Sequence, residues 1–151
     1  MNPTDQRTIR DDFITTIEAI DPSYDGYQDQ PWRSVEQRTD VPSGAIRNFF
    51  VHILPSYGNE SGLFGWGIGR GANMQVWTCY MNLPDAETPI IDEDYLQLYH
   101  ALQARLDPTL AGLIMVEMDE GGFHFEDDTP GHVWGYHPFR VEYMWRHTLD
   151  P

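Results

Sequence analysis

Residues 74–83 read MQVWTCYMNL and are closed by Pro84. Met74, Val76, Thr78 and Tyr80 fall on one side of an extended chain, and Trp77, Cys79 and Met81 on the other. This spacing predicts a strand with bulky side chains on both faces. Residues 46–54, IRNFFVHIL, have the same character: Phe49, Val51 and Ile53 alternate with Phe50, His52 and Leu54, and Pro55 stops the run. Both faces are apolar enough to predict a strand covered on two sides. Between the two runs lies a glycine stretch, 56–73, with Gly58, Gly62, Gly65, Gly67, Gly69 and Gly71. The flanking strands are expected to pair antiparallel, with the stretch as a long Gly-rich hairpin arm. No register of these glycines has the dinucleotide-binding spacing, and a strand rather than a helix follows, which argues against a phosphate cradle.

Outside this pair the periodicity changes. In 5–20, Ile9, Phe13, Ile17 and Ile20 recur at helical spacing, with Ile14 beside them; Thr4 is the expected cap and Asp21-Pro22 the stop. Residues 23–44 hold Pro31, Pro42, Gly26, Tyr24, Tyr27 and Trp32, and predict an extended loop that packs its rings on the domain or a neighbour. A second helix starts at Asp92 or Asp94 and runs to 106, with Leu96, Tyr99, Leu102 and Leu106 as its apolar stripe. Strands follow at 113–118, 123–126 and 138–146; in the last, Phe139, Val141, Tyr143 and Trp145 alternate with Arg140, Glu142, Met144 and Arg146. The expected fold is α+β, one domain over 1–151, with a mostly antiparallel sheet and two helices packed on one face.

The charge is lopsided. The chain has no lysine, 9 arginines and 24 acids, for a net charge of −15. A GC-rich genome accounts for absent lysine but not for excess acid. A halophilic origin accounts for both, because concentrated salt screens the self-repulsion of such a surface. A pI near 4.4 argues against wrapping nucleic acid or binding anionic membranes, though DNA passing through an acidic lumen stays compatible. No run approaches the ~20 apolar residues of a membrane span, and the polar start of the chain predicts a soluble product made in a cytoplasm. Cys79 stands alone, so an intrachain disulfide is excluded; it is expected as a small apolar residue within its strand.

Chemistry has one candidate locus. His124, Glu126, His132 and His137 fall close together with Asp127 and Asp128 between them. Imidazole and carboxylate can bind zinc or iron, but these spacings form no closed ligand set and Gly and Pro interrupt the segment. The expectation is a hairpin decorated with acids and surface histidines, without a metal or other cofactor. Carboxylate groups such as Asp92/Glu93/Asp94 and Asp119/Glu120 arise by chance in so acidic a chain, and no G-x-S-x-G elbow is present. Catalysis is not expected; a small halophilic metalloenzyme using His124, His132 and His137 is the rival reading.

Aromatic and arginine residues stand out instead, since Trp, Tyr and Arg carry most interface energy. The candidates are Leu63, Phe64, Trp66, Ile68 and Arg70 in the glycine arm, Trp32 in the first loop, and Tyr143, Trp145 and Arg146 at the last strand. The arm cannot build a core of its own, so its rings need a partner.

The order of elements resembles the tail-terminator (tail-completion) proteins of long-tailed viruses. The likeness lies in the amphipathic first helix, the loop Val41-Pro42-Ser43-Gly44-Ala45 running into 46–54, the strand 74–83, the helix 95–106 and the final strand through Phe139 and Trp145. It implies a small α+β structural protein of the virion, forming a homo-oligomeric ring, a hexamer in that family, between tail tube and neck. Its partners would be further copies of itself, the tail tube protein and neck or connector proteins, with DNA only passing through the lumen and no membrane involved. A neighbouring neck or head-closure adaptor is the alternative within the same class.

Overall fold

The computed structural model describes residues 3–21, 31–36, 48–55, 57–58, 69–81, 87–119, 123–126 and 132–145, with backbone alone at 57–58, 81, 87–89, 123–126 and 132. Helix α1 (Gln6–Glu18) starts at Asp5, whose carboxylate accepts from the Thr8 amide at 2.8 Å. The cap is therefore Asp5 and not Thr4. Thr4 is buried, bridges to Trp145, and donates its amide to the Met144 carbonyl at 2.7 Å, tying the start of α1 to the end of the sheet. Ile9, Phe13 and Ile17 are buried on the inner face, each contributing about 1.5–3 kcal/mol relative to exposure.

The strands are β1 (Arg33–Ser34), β2 (Asn48–Ile53), β3 (Tyr57–Gly58), β4 (Gly69–Met81), β5 (Leu113–Met118), β6 (Phe123–Glu126) and β7 (His132–Met144). They form one sheet in the order β1-β2-β4-β7-β5, with β3 beside β4 and β6 beside β7. Every pairing is antiparallel except β1 with β2. The fold is the expected α+β, and β2 and β4 pair as expected. β4 begins earlier than the expected strand, because Gly69, Arg70 and Gly71 already pair with β7. The arm's roots, β3 and the start of β4, pair with each other; residues 59–68 between them lie outside the described residues.

β4 and β7 form the spine, paired without interruption from Gly69↔Met144 to Met81↔His132. The flanking strands are each broken once. β2 and β3 follow one edge of β4 and step in register between Ile53↔Met74 and Tyr57↔Gly71, around Pro55. β5 and β6 follow the far edge of β7, and the break between them faces Pro138. Pro138 has no N–H to give to the Asp119 carbonyl opposite it, although Asp119 donates its own amide to the Pro138 carbonyl at 3.0 Å. The Tyr95 hydroxyl supplies the missing donor, 3.0 Å from the Asp119 carbonyl, and also contacts the Pro138 carbonyl. A proline inside a central strand is thus satisfied by a helix side chain.

Helix α2 (Glu87–Gln103) starts before the expected Asp92, with Pro89 in its first turn, where a missing N–H costs nothing. Its buried stripe is Ile91, Tyr95, Leu98 and Leu102, whereas Leu96 is 50% exposed, so the expected stripe is rotated. Both helices cover the same face of the sheet, over Phe49, Val51, Met74, Val76, Phe139, Val141 and Tyr143. Arg105, just beyond α2, clamps α1 through a two-pronged bond to Asp12, Nε–Oδ2 3.0 Å and Nη2–Oδ1 2.7 Å. That bond raises the Arg105 pKa above its ordinary value.

Candidate interaction surface

No helix covers the second face of the sheet among the described residues. Strand register aligns Phe50, Trp77 and Tyr136 in a row across β2, β4 and β7. Phe50 and Trp77 stack at 6.1 Å and 11°, and Trp77 meets Tyr136 at 4.7 Å. All three are half-buried. Trp134 is buried beside them and reaches Phe50 edge-on at 5.7 Å, across the small Cys79 that separates them on β4. Cys79 is buried in its strand and leaves the space an indole needs. The aromatic row explains why β2 looked apolar on both faces: its second face is filled by rings without a helix over them.

Away from the row the face turns polar. Asn73 and Arg140 are exposed, Gln75 is half-buried and accepts from the Trp77 indole N–H at 3.2 Å, and Arg140 pairs with Glu117 at 2.7 Å. At the far end of the spine, on the helix side of the sheet by strand alternation, Arg70 lies 4.9 Å over the Trp145 ring, which is 37% exposed. The guanidinium holds this indole by a cation–π contact, worth about 0.5–1 kcal/mol at an exposed site. Arg70 and Trp145 are therefore brought together. Trp32 and Tyr143 are placed in the core, Trp32 edge-on to Phe49 at 5.9 Å and Tyr143 under the helices, so neither offers surface. Leu63, Phe64, Trp66, Ile68 and Arg146 lie outside the described residues.

The histidine segment divides. His137 is fully buried on the helix face, with the Tyr95 ring at 5.3 Å, and is not the surface histidine expected. The alternation of β7 begins before Pro138 and turns His137 inward with Phe139. The side chains of His124, Glu126 and His132, with Asp127 and Asp128, lie outside the described residues, within which no group of three or more His, Cys, Asp or Glu is placed to hold a metal.

A buried polar cluster lies beneath α2. Asp94 is fully buried and accepts from the Tyr80 hydroxyl at 2.8 Å. Gly135 leaves room there for His137 and Tyr80: a Cβ at Gly135 would fall 3.0 Å from both His137 Nε2 and Tyr80 Cε2. Burial, with the charge of Asp119 adding to it, pushes the Tyr95 hydroxyl from 10.0 up to about 12. This cluster seats α2 on the sheet. The sequence reading set this aspartate aside with Asp92 and Glu93 as chance acids, because only the 3.6-residue phase tells the inward carboxylate from its exposed neighbours.

A groove of about 470 Å³ opens between α1 and the outer edge of β2, lined by Gln6, Arg7, Arg10, Glu36, His52 and Ile53 among others. No protein-family model and no curated protein matches this chain.

Proposed function

We propose that this chain is a structural virion protein of the tail-terminator class: a ring, hexameric in that class, that caps the tail tube, stops its polymerisation and joins the tail to the neck in a virus of a halophilic host. The observation that carries this reading is the row Phe50, Trp77 and Tyr136, half-buried on a sheet face with no helix over it among the described residues. Aromatic patches of this kind, poor in charge and rimmed by polar groups, suit protein contacts. The Arg140–Glu117 pair on the same face supplies part of such a rim. No chemistry is needed. One side of the ring would present a surface like that of the next tube ring and occupy its place, and the other would receive neck proteins.

Trp77→Glu places a charge in the row and leaves the helix-covered core untouched. The variant is expected to stay folded and to give virions with unjoined tails or tubes of uncontrolled length in electron micrographs. Labelled wild-type protein is expected at the tail–neck junction. Label confined to the neck, away from the tube, would favour the adaptor reading, and its absence from particles would overturn both.

A further inference from the structure

By register the row Phe50, Trp77 and Tyr136 continues to position 123 on β6, opposite Tyr136. The line crosses four strands, about 14 Å at about 4.8 Å per strand. Around it the described residues of this face carry no acid. Asn48, Cys79 and Trp134 lie to one side, and His52, Gln75 and Pro138 to the other. The Arg140–Glu117 pair comes one line further on and cancels its own charge. In a chain whose net charge is −15, such a face suits an occupant that is itself free of charge.

The sequence holds one such segment. From Ser61 to Gly69 there is no charged residue, and Phe64-Gly65-Trp66-Gly67-Ile68 alternates large apolar side chains with glycine. In an extended chain that alternation sets the three apolar residues on one side, over about 13 Å. The span matches the row. Residues 59–68 lie outside the described residues, but their two attachment points do not. Gly58 ends β3, Gly69 begins β4, and Gly58 pairs with Arg70. β4 runs from Gly69 toward the row and covers about 26 Å before Trp77, so the segment joins it at the opposite end. Along the chain Phe64 reaches at most about 18 Å from Gly69, Trp66 about 11 Å and Ile68 about 4 Å. The segment therefore falls short of the row of its own chain. The same segment of a second copy has no such limit.

We propose that residues 63–68 of one copy lie across the row Phe50, Trp77 and Tyr136 of the next. This assignment rests on the ring reading and names its subunit contact. Each contact would join two different surfaces, segment to face, which is the heterologous geometry that closes into rings. Phe64, Trp66 and Ile68 would supply the affinity by burial against the rings, with no charge taken out of water.

A photoreactive benzoylphenylalanine in place of Phe64 tests it. Light copies carrying this residue are mixed with isotopically heavy wild-type copies in molar KCl, irradiated, and the adducts mapped by mass spectrometry. The expected adduct joins a light segment to heavy peptides holding Trp77 or Tyr136, and Trp77→Glu in the heavy copies should reduce it at least tenfold. Trp66→Ser should weaken self-association at least tenfold by sedimentation, and adding Trp77→Glu to it should cost little more than the larger single effect. Circular dichroism checks that each variant is folded. If the wild type stays monomeric at millimolar concentration, the irradiation is run in assembled particles, where the same adduct decides. Adducts within one chain, on another surface of a second copy, or on a tube or neck protein would overturn the assignment. So would oligomers that Trp66→Ser leaves intact. Either result leaves the ring reading standing, to be decided separately by particle images.

Discussion

Tyr95→Phe tests the repair of the sheet at Pro138. The substitution keeps the ring against His137 at 5.3 Å and Phe139 at 5.2 Å and removes only the hydroxyl. The Pro138 carbonyl retains the Asp119 amide, but the Asp119 carbonyl loses the hydroxyl. A lost hydrogen bond costs about 0.5–1.5 kcal/mol and an unsatisfied buried group about 1–3 kcal/mol. Asp119 is exposed, so water can reach its backbone in part and the expected loss is about 1–2 kcal/mol. For a chain of 151 residues that lowers the melting temperature by about 2–4 °C per kcal/mol. The pH dependence is a second signature. Because folding raises the Tyr95 pKa from 10.0 to about 12, its contribution is complete below pH 10 and is lost as pH rises to 12. The shift corresponds to roughly 3 kcal/mol. The variant lacks this loss, so its deficit at pH 8 should shrink and then reverse toward pH 12. Urea titrations in molar KCl at stepped pH measure the difference, and the other tyrosines cancel between the two proteins. Equal stabilities at pH 8 would refute the hydroxyl's part in satisfying the strand, and a deficit that stayed constant with pH would refute its burial as a neutral phenol.

Gly135→Ala should cost about 1–3 kcal/mol by overpacking, since its Cβ meets His137 and Tyr80 at 3.0 Å; a thermal melt unchanged within error would mean that the cluster yields freely. Arg105→Ala and Asp12→Ala should each destabilise by about 1–2 kcal/mol, and a double-mutant cycle should find them coupled; additive losses would show that the two-pronged bond contributes nothing of its own. Melting points should fall strongly as salt drops from molar to millimolar, because the −15 charge is then unscreened; a flat profile would leave genome composition as the reason for the missing lysine.

Periodicity made much of this fold legible. α1 carries an unambiguous repeat, and its buried residues Ile9, Phe13 and Ile17 follow it, whereas β5 is a short apolar run whose buried Leu113 and Val116 are set by a register shift. α2 contains two overlapping apolar stripes, one through Leu96 and Tyr99 and one through Ile91, Tyr95, Leu98 and Leu102. Only the sheet beneath chooses between them. β1 is too short to show a period, and its parallel pairing depends on where the loop brings it. The first half of β7 was hidden by Gly135 and Pro138, residues that weaken a strand unless a neighbour compensates; here the neighbours are His137 packed against Gly135 and the Tyr95 hydroxyl. The interaction surface was partly legible for a similar reason. Trp145 and Arg70 stand out by residue type. The row Phe50, Trp77 and Tyr136 exists only once the register of the three strands is known.

The place of β7 between β4 and the β5/β6 edge has a kinetic consequence. Each β4–β7 partner is 51 to 75 residues away in sequence, so the spine cannot zip up from a tight turn. Contacts this distant make closure slow relative to helix or hairpin formation. Before β7 enters, β1 to β4 are the strands that can pair, and β5 and β6, whose strand partner is β7, have nothing to pair with, which leaves a slot one strand wide along β4. A second unfinished chain carries a β7 that fits the same slot. Concentrated refolding should therefore favour exchange of β7 between chains, and dilute refolding the closed monomer fold.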